Sequence, residues 1–240
     1  MRFLPQTYYQ PIAALSGRAG NDAFTKVLLH MDGADASTTF TDSNYGGSAK
    51  TWTANGNAQI DTAQSKFGGA SGLFDGTGDY VDAPDHADFT LGSGDFTIDC
   101  WFNRAGGDAT YRALCGQVDS GVTAWASFLR LTDTNVMQGS IMISGSAKTI
   151  AGTTAFTATG WHHVALVRTS GTLKLFLDGT QEGGDLAAVG TVGDSAAKLT
   201  LGRLGEFNGQ YWNGWIDEFR ISVGIARWTA NFTPPPQAYF

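Results

Sequence analysis

The sequence is poor in charge and poorer in bases. Only 15% of its 240 residues are charged, with 15 Lys and Arg against 22 Asp and Glu and a formal net charge of −7. The bases are scattered singly. Phosphate recognition needs clustered Lys and Arg, so no nucleic-acid partner is expected. Glutamate is limited to Glu182, Glu206 and Glu218; Asp pairs could substitute in carboxylate-pair catalysis, but most Asp sit in Gly-rich turns, as at Asp75, Asp79 and Asp178, where they read as turn formers. There is no GxSxG elbow and no Gly-Lys dipeptide, so the α/β-hydrolase and P-loop signatures are missing.

Cysteine is nearly absent. Cys100 and Cys115 form no CxxC, which removes thioredoxin-like and zinc-ribbon readings. They read as two buried free thiols, with a disulfide as the alternative if their strands are neighbours. Proline is scarce in the body: of six, only Pro84 lies away from the ends. No apolar run approaches the ~20 residues of a membrane span. The opening MRFLPQTYYQPIAALSGRAG is interrupted by Pro5, Gln6, Thr7, Gln10 and Pro11, so it carries no secretory apolar stretch. No window keeps a helical period, the nearest being Ile225–Trp228. No fixed repeat is found.

What the sequence does have is 32 glycines and many short alternating or β-branched segments. Strands are expected over Val27–Met31, Ser71–Phe74, Tyr80–Asp82, Phe96–Asn103, Arg112–Gln117, Ser127–Leu131, Gly139–Ser144, His162–Thr169, Leu173–Leu177, Leu199–Arg203 and Asn213–Ser222. In WHHVALVRTSGTLKLFLDG, Thr169, Ser170 and Gly171 make a short hairpin turn, with Gly171 at positive φ. Strands at roughly ten-residue spacing point to a sandwich or barrel. Residues 1–25 show no alternation but carry Phe3, Tyr8, Tyr9 and Ile12. They read as an extended arm that orders against a partner. Residues 26–240 form one domain ending in a polyproline-like strap, NFTPPPQAYF.

The runs GGASGLFDGTGDYVDAP, GDFTIDCWFNR, GWHHVALVRTSGTLKLFLDG, LTLGR and YWNGWIDEFRIS come in an order that resembles the laminin-G-like branch of the concanavalin A-like lectin/glucanase superfamily. The resemblance covers about residues 27–235. It implies an all-β, antiparallel jelly-roll sandwich used for glycan or protein binding. VLLHMDG and IARWTANFTPPPQAY look like versions of the domain found in bacteriophage virion proteins. That implies a virion location, oligomeric assembly, and docking to other virion proteins through residues 1–25. A glucanase-like glycoside hydrolase and a secreted bacterial adhesion domain are the alternatives. The superfamily's glucanases carry a Glu-x-Asp-x-x-Glu strand, and the three glutamates here do not make one, so no enzymatic activity is expected.

Calcium is the expected metal, in a structural role. First and last strands often pair in such sandwiches, which would bring Asp32 and Asp217 together. Two like charges that close call for a cation or a shared proton. The resemblance points the same way, since some members hold a structural calcium near these strands. The turn from Asp75 to Tyr80, with Asp75 and Asp79, could add oxygens. The alternative is that Asp217 caps a turn and Asp32 faces water. His162 and His163 are adjacent on a strand and point to opposite faces; they and His30 read as structural. For a sugar ligand, Tyr45, Trp52, Trp125, Phe207 and Tyr211 are the expected aromatic platforms, because sugar rings offer apolar faces and polar edges. Trp101, Trp161 and Trp215 are assigned to the core or sheet faces.

Overall fold

The structure, a computed structural model, describes residues 20–106, 109–122, 124–157, 159–207 and 209–240. Its strands are β1 (Thr25–Leu29), β2 (Thr53–Asn55), β3 (Gln59–Asp61), β4 (Ser71–Asp75), β5 (Tyr80–Ala83), β6 (Phe96–Arg104), β7 (Arg112–Val118) and β8 (Trp125–Leu131). They continue with β9 (Met137–Ile143), β10 (Ser146–Ala151), β11 (Trp161–Thr169), β12 (Thr172–Leu177), β13 (Thr180–Ala187), β14 (Leu199–Leu201) and β15 (Asn213–Val223). A single 3₁₀ turn, Ala87–Phe89, is the one helical element among the described residues, and Ile225–Trp228 forms none.

The strands make two antiparallel sheets. One has eight strands in the order β13-β12-β11-β6-β15-β4-β3, with β1 also pairing β15; the other has seven, in the order β10-β9-β8-β7-β14-β5-β2. Alternation explains the layering. Phe96, Ile98, Cys100 and Phe102 of β6 enter the shared core, as do Leu129 and Leu131 of β8 and Ile141 and Ile143 of β9. Thr97, Asp99, Trp101 and Asn103 take the opposite side of β6. The β11–β12 hairpin closes through Ser170 and Gly171, both at positive φ (48° and 77°), the turn whose twist matches its strands.

The first and last strands do pair. Leu29 lies opposite Phe219 and Val27 opposite Ile221. β15 meets β4 along Asn213–Ile216 and β1 from Phe219 onward, on the same edge. Between the two stretches β15 carries one extra residue against β6, a bulge with Glu218 at φ 50°.

The domain begins earlier than the expected boundary after residue 25. Thr25 opens β1 and is fully buried, and the Asn21 side chain bonds the backbone of Ser43 and Tyr45. The rest of the expected docking arm, residues 1–19, lies outside the described residues. The cysteines are free and buried. Cys100 on β6 and Cys115 on β7 sit on opposite sheets facing one core, and burial pushes the Cys115 thiol up to about 12 and Cys100 well above its ordinary value.

Candidate functional site

Three surfaces bear chemistry. The first surrounds the β15 bulge. Asp217 Oδ2 accepts from the backbone N–H of Lys66 (2.8 Å) and Phe67 (3.1 Å), while its Oδ1 is buried with no partner. Burial raises its pKa to about 7. Glu218 accepts from His30 Nδ1 at 2.7 Å and from the Tyr239 N–H at 2.9 Å. Burial disfavours the charged His30, but Glu218 outweighs it and the His30 pKa is raised. Asp32 borders the same loop from the other side, against Gly68, and burial raises its pKa too.

Asp32 and Asp217 flank one loop, residues 66–68, but Asp75 and Asp79 are not brought to them. Asp75 and Asp79 lie in the β4–β5 turn, where Asp79 accepts from the N–H of Asp75 and of Asn57. Asp75 is paired with Asn213, four residues from Asp217 along β15, which is ~13 Å of strand. No group of three or more His, Cys, Asp or Glu among the described residues is placed to hold a metal. Asp217 caps the loop at Lys66–Phe67, as in the alternative reading.

The second surface is the outer side of the eight-stranded sheet, beneath residues 225–240. Here Arg220 forks onto Asp99, with Nε 3.0 Å from Oδ1 and Nη2 3.1 Å from Oδ2. The Tyr239 hydroxyl donates to Asp99 Oδ2. His163 lies between Trp101, Trp228 and Phe232, and the Trp228 and Phe232 rings stack at 4.1 Å. A cleft of about 250 Å³ opens between Arg220, Arg227, Trp228, Pro235 and Tyr239. Its cations are already spent: Arg220 on Asp99, Arg227 on Asp22 through two bonds of 2.7 and 2.8 Å. The strap thus packs on this face with the cleft's cations already paired. His162 points the other way, against Phe156 and Phe102.

The third surface is the outer side of the seven-stranded sheet. Alternation in WASFLRL sends Leu129 and Leu131 inward and leaves Phe128 and Arg130 outward. Arg130 donates from Nε to Gln138 Oε1 (2.8 Å) and from Nη1 to Gln210 Oε1 (3.1 Å). Its guanidinium lies over the Tyr111 ring at 4.4 Å and the Phe128 ring at 4.8 Å. Residues 202–207 cross β7 beside it, where Gly205 at φ 57° comes so near Val118 that a Cβ would sit 2.3 Å from its carbonyl oxygen. That crossing lays Arg203 over the Tyr80 ring at 3.6 Å, with Tyr80 6.5 Å from Tyr211. Asp82 and Asn55 border Tyr80; Asp82 accepts from Asn55 and Lys198.

The expected platforms separate. Trp125, Phe207 and Tyr211 gather on this third surface, but Trp125 is buried against Phe128 in a cluster that Phe207 caps, so its indole underpins the surface rather than forming it. Trp52 belongs to the core, and is no platform: the Thr41–Thr51 bridge turns it inward. Tyr45 is exposed but lies near Asn21, away from the others. The residues missed are Tyr80, Phe128, Arg130 and Arg203. Alternation in β8 carried the signal for Phe128 and Arg130.

The family described as the concanavalin A-like lectin/glucanases superfamily, in its laminin-G form, matches residues 75–224. No curated protein sequence matches the chain. Among solved structures, domain 4 of an extracellular arabinanase from Geobacillus stearothermophilus, in complex with arabinotriose, is 17% identical with TM-score 0.58, covering 87% of this chain and 95% of that one. The binding domain of Paraclostridial mosquitocidal protein 1 is 13% identical with TM-score 0.62, covering 82% and 48%. The botulinum neurotoxin serotype G binding domain is 12% identical with TM-score 0.60, covering 81% and 46%. The chain thus spans about half the length of the toxin domains, and these likenesses speak to the fold. With more than half of its residues matched, the chain belongs to the concanavalin A-like lectin/glucanases superfamily, as a laminin-G-like member.

Proposed function

We propose that the domain is a non-catalytic saccharide-binding module, and that it binds through the outer face of the seven-stranded sheet. The observation that carries this is the setting of Arg130, held by two amide oxygens and laid over Tyr111 and Phe128. Aromatic rings offer faces to sugar C–H groups, and fixed amides and guanidinium N–H groups offer partners to hydroxyls. Tyr111 is 37% exposed, so the ring is accessible. The arabinotriose complex of the arabinanase domain supports saccharide binding on this fold. The sequence lacks the Glu-x-Asp-x-x-Glu strand of the superfamily's glucanases, which supports the non-catalytic reading.

Display on a virion, with a docking arm, extends this reading and rests on the resemblance of VLLHMDG and IARWTANFTPPPQAY alone. Affinity electrophoresis through gels containing plant, bacterial and host-surface polysaccharides tests the binding role. The intact protein should be retarded by at least one polymer, and Tyr111→Ala and Tyr80→Ala should each relieve the retardation while keeping the β-sheet circular dichroism. No retardation by any polymer, or retardation untouched by both substitutions, would overturn it.

A further inference from the structure

The protein carries net charge −7, yet the two guanidinium groups on this face have no acidic partner. Among the described residues no carboxylate comes within ion-pair distance of Arg130 or Arg203. Arg130 bonds two neutral amides, and Arg203 donates from Nε to the Gly205 carbonyl at 2.7 Å. The nearby acids are engaged or set apart. Asp82 accepts from Lys198, Glu206 accepts from the Lys198 N–H, and Asp133 lies in the β8–β9 turn and acts on Arg130 only at a distance.

Arg168 of β11, over the Phe96 ring, is held by the carbonyls of Gly92, Gly94 and Gly190; the outer side of the eight-stranded sheet is different. There Arg220 and Arg227 each meet a carboxylate through two bonds. Burial against the rings costs Arg130 hydration and lowers its pKa, a cost that Asp133, acting at a distance, does not make good. A half-buried cation left in that state is an anion receptor in waiting.

The two groups belong to one surface. Arg130 reaches Gln210, and the next residue, Tyr211, faces Tyr80, over which Arg203 lies. The strands bearing Arg130 and Tyr80, β8 and β5, are three steps apart across the sheet, ~14 Å at ~4.8 Å per step. That span suits an extended oligomer rather than one small anion.

We infer that the ligand of this face is a saccharide bearing carboxylates, a uronate-containing oligomer whose acid groups are taken by Arg130 and Arg203 while its rings lie against Tyr111 and Tyr80. This rests on the saccharide-binding reading above. The guanidinium fork matches a planar carboxylate bidentately, which favours uronate over a sulfate ester.

Isothermal titration of the whole chain tests it, with oligogalacturonate, alginate and hyaluronan oligomers, each beside the same oligomer after carboxyl reduction, and with dextran sulfate as a further arm. At least one acidic oligomer should bind roughly tenfold or more tighter than its reduced form, a difference of about 1.4 kcal/mol. Arg130→Gln and Arg203→Gln should each remove most of that preference, and Arg130→Lys should restore part of it. Circular dichroism confirms that each variant is folded. Reduced oligomers that bind as well as acidic ones, with no effect of either substitution, would overturn the inference and leave the saccharide module standing. Binding of the sulfated polymer alone would overturn the carboxylate assignment. Binding of no saccharide would overturn both.

Discussion

Arg220 and Asp99 face each other across β15 and β6, two fully buried charges joined by two hydrogen bonds of 3.0 and 3.1 Å. Burial works to raise the Asp99 pKa, but Arg220 and His163 outweigh it and hold the carboxyl below its ordinary value. The pair fastens the end of the chain, since the Tyr239 hydroxyl donates to the same carboxylate and the Tyr239 ring lies 3.6 Å from the Arg220 guanidinium. Removing one partner leaves an uncompensated buried charge. Arg220→Met is therefore expected to cost about 3–5 kcal/mol, read as a fall in the denaturant midpoint. Tyr239→Phe should cost only about 1–2 kcal/mol. Equal losses from the two would show that the fork is not what matters.

Asp217 gives the fold a pH dependence. Its carboxyl titrates near 7 in the native state and near 4 when unfolded, so folding favours the protonated form. The contribution of Asp217 is fully present below pH 4 and is lost as pH rises from about 4 through 7, by at most about 4 kcal/mol. In chelator, the melting temperature of the native chain should fall between pH 5 and 8 relative to that of Asp217→Asn, whose amide oxygen can still accept from Lys66 and Phe67. Parallel profiles would contradict this.

The calcium expectation meets its test in the same two proteins. The unpartnered Oδ1 of Asp217 is the atom a cation would engage. Calcium held there would raise the melting temperature of the native chain at pH 8 and leave Asp217→Asn unmoved. An unchanged native chain would remove calcium from the account.

The thiols supply a check on the core. With Cys100 and Cys115 buried and their pKa values raised, neither should react with a disulfide exchange reagent in the native state at pH 8, because the thiolate is the nucleophile. Both should react on unfolding. Rapid native-state reaction of either would place a sheet in the wrong position.

The sandwich was legible in the sequence because its central strands are buried on at least one full face. Every strand that alternation failed to mark lies at an edge: β13 and β3 end the eight-stranded sheet, β10 and β2 the seven-stranded one. An edge strand has one neighbour and more solvent, so its pattern dissolves. β13 reads TQEGGDLA and β10 SAKTIA, both largely exposed. The proposed binding surface was only half legible. Phe128 and Arg130 follow from alternation within one strand. The Tyr80–Arg203 stack does not, because it exists only once residues 202–207 fold back across β7. Trp52 misled for a related reason: polar neighbours suggested an open loop, and a single bridge between Thr41 and Thr51 turns the indole inward.

Hydrogen exchange with and without the best-retained polysaccharide tests the central claim most directly, because it reports where the ligand lies. The account expects slowed exchange in β5, β8 and β9 and in residues 203–207 and 209–211, with β11, β15 and residues 225–240 unchanged. Protection confined to that strap and its sheet, or around Tyr45, would contradict it.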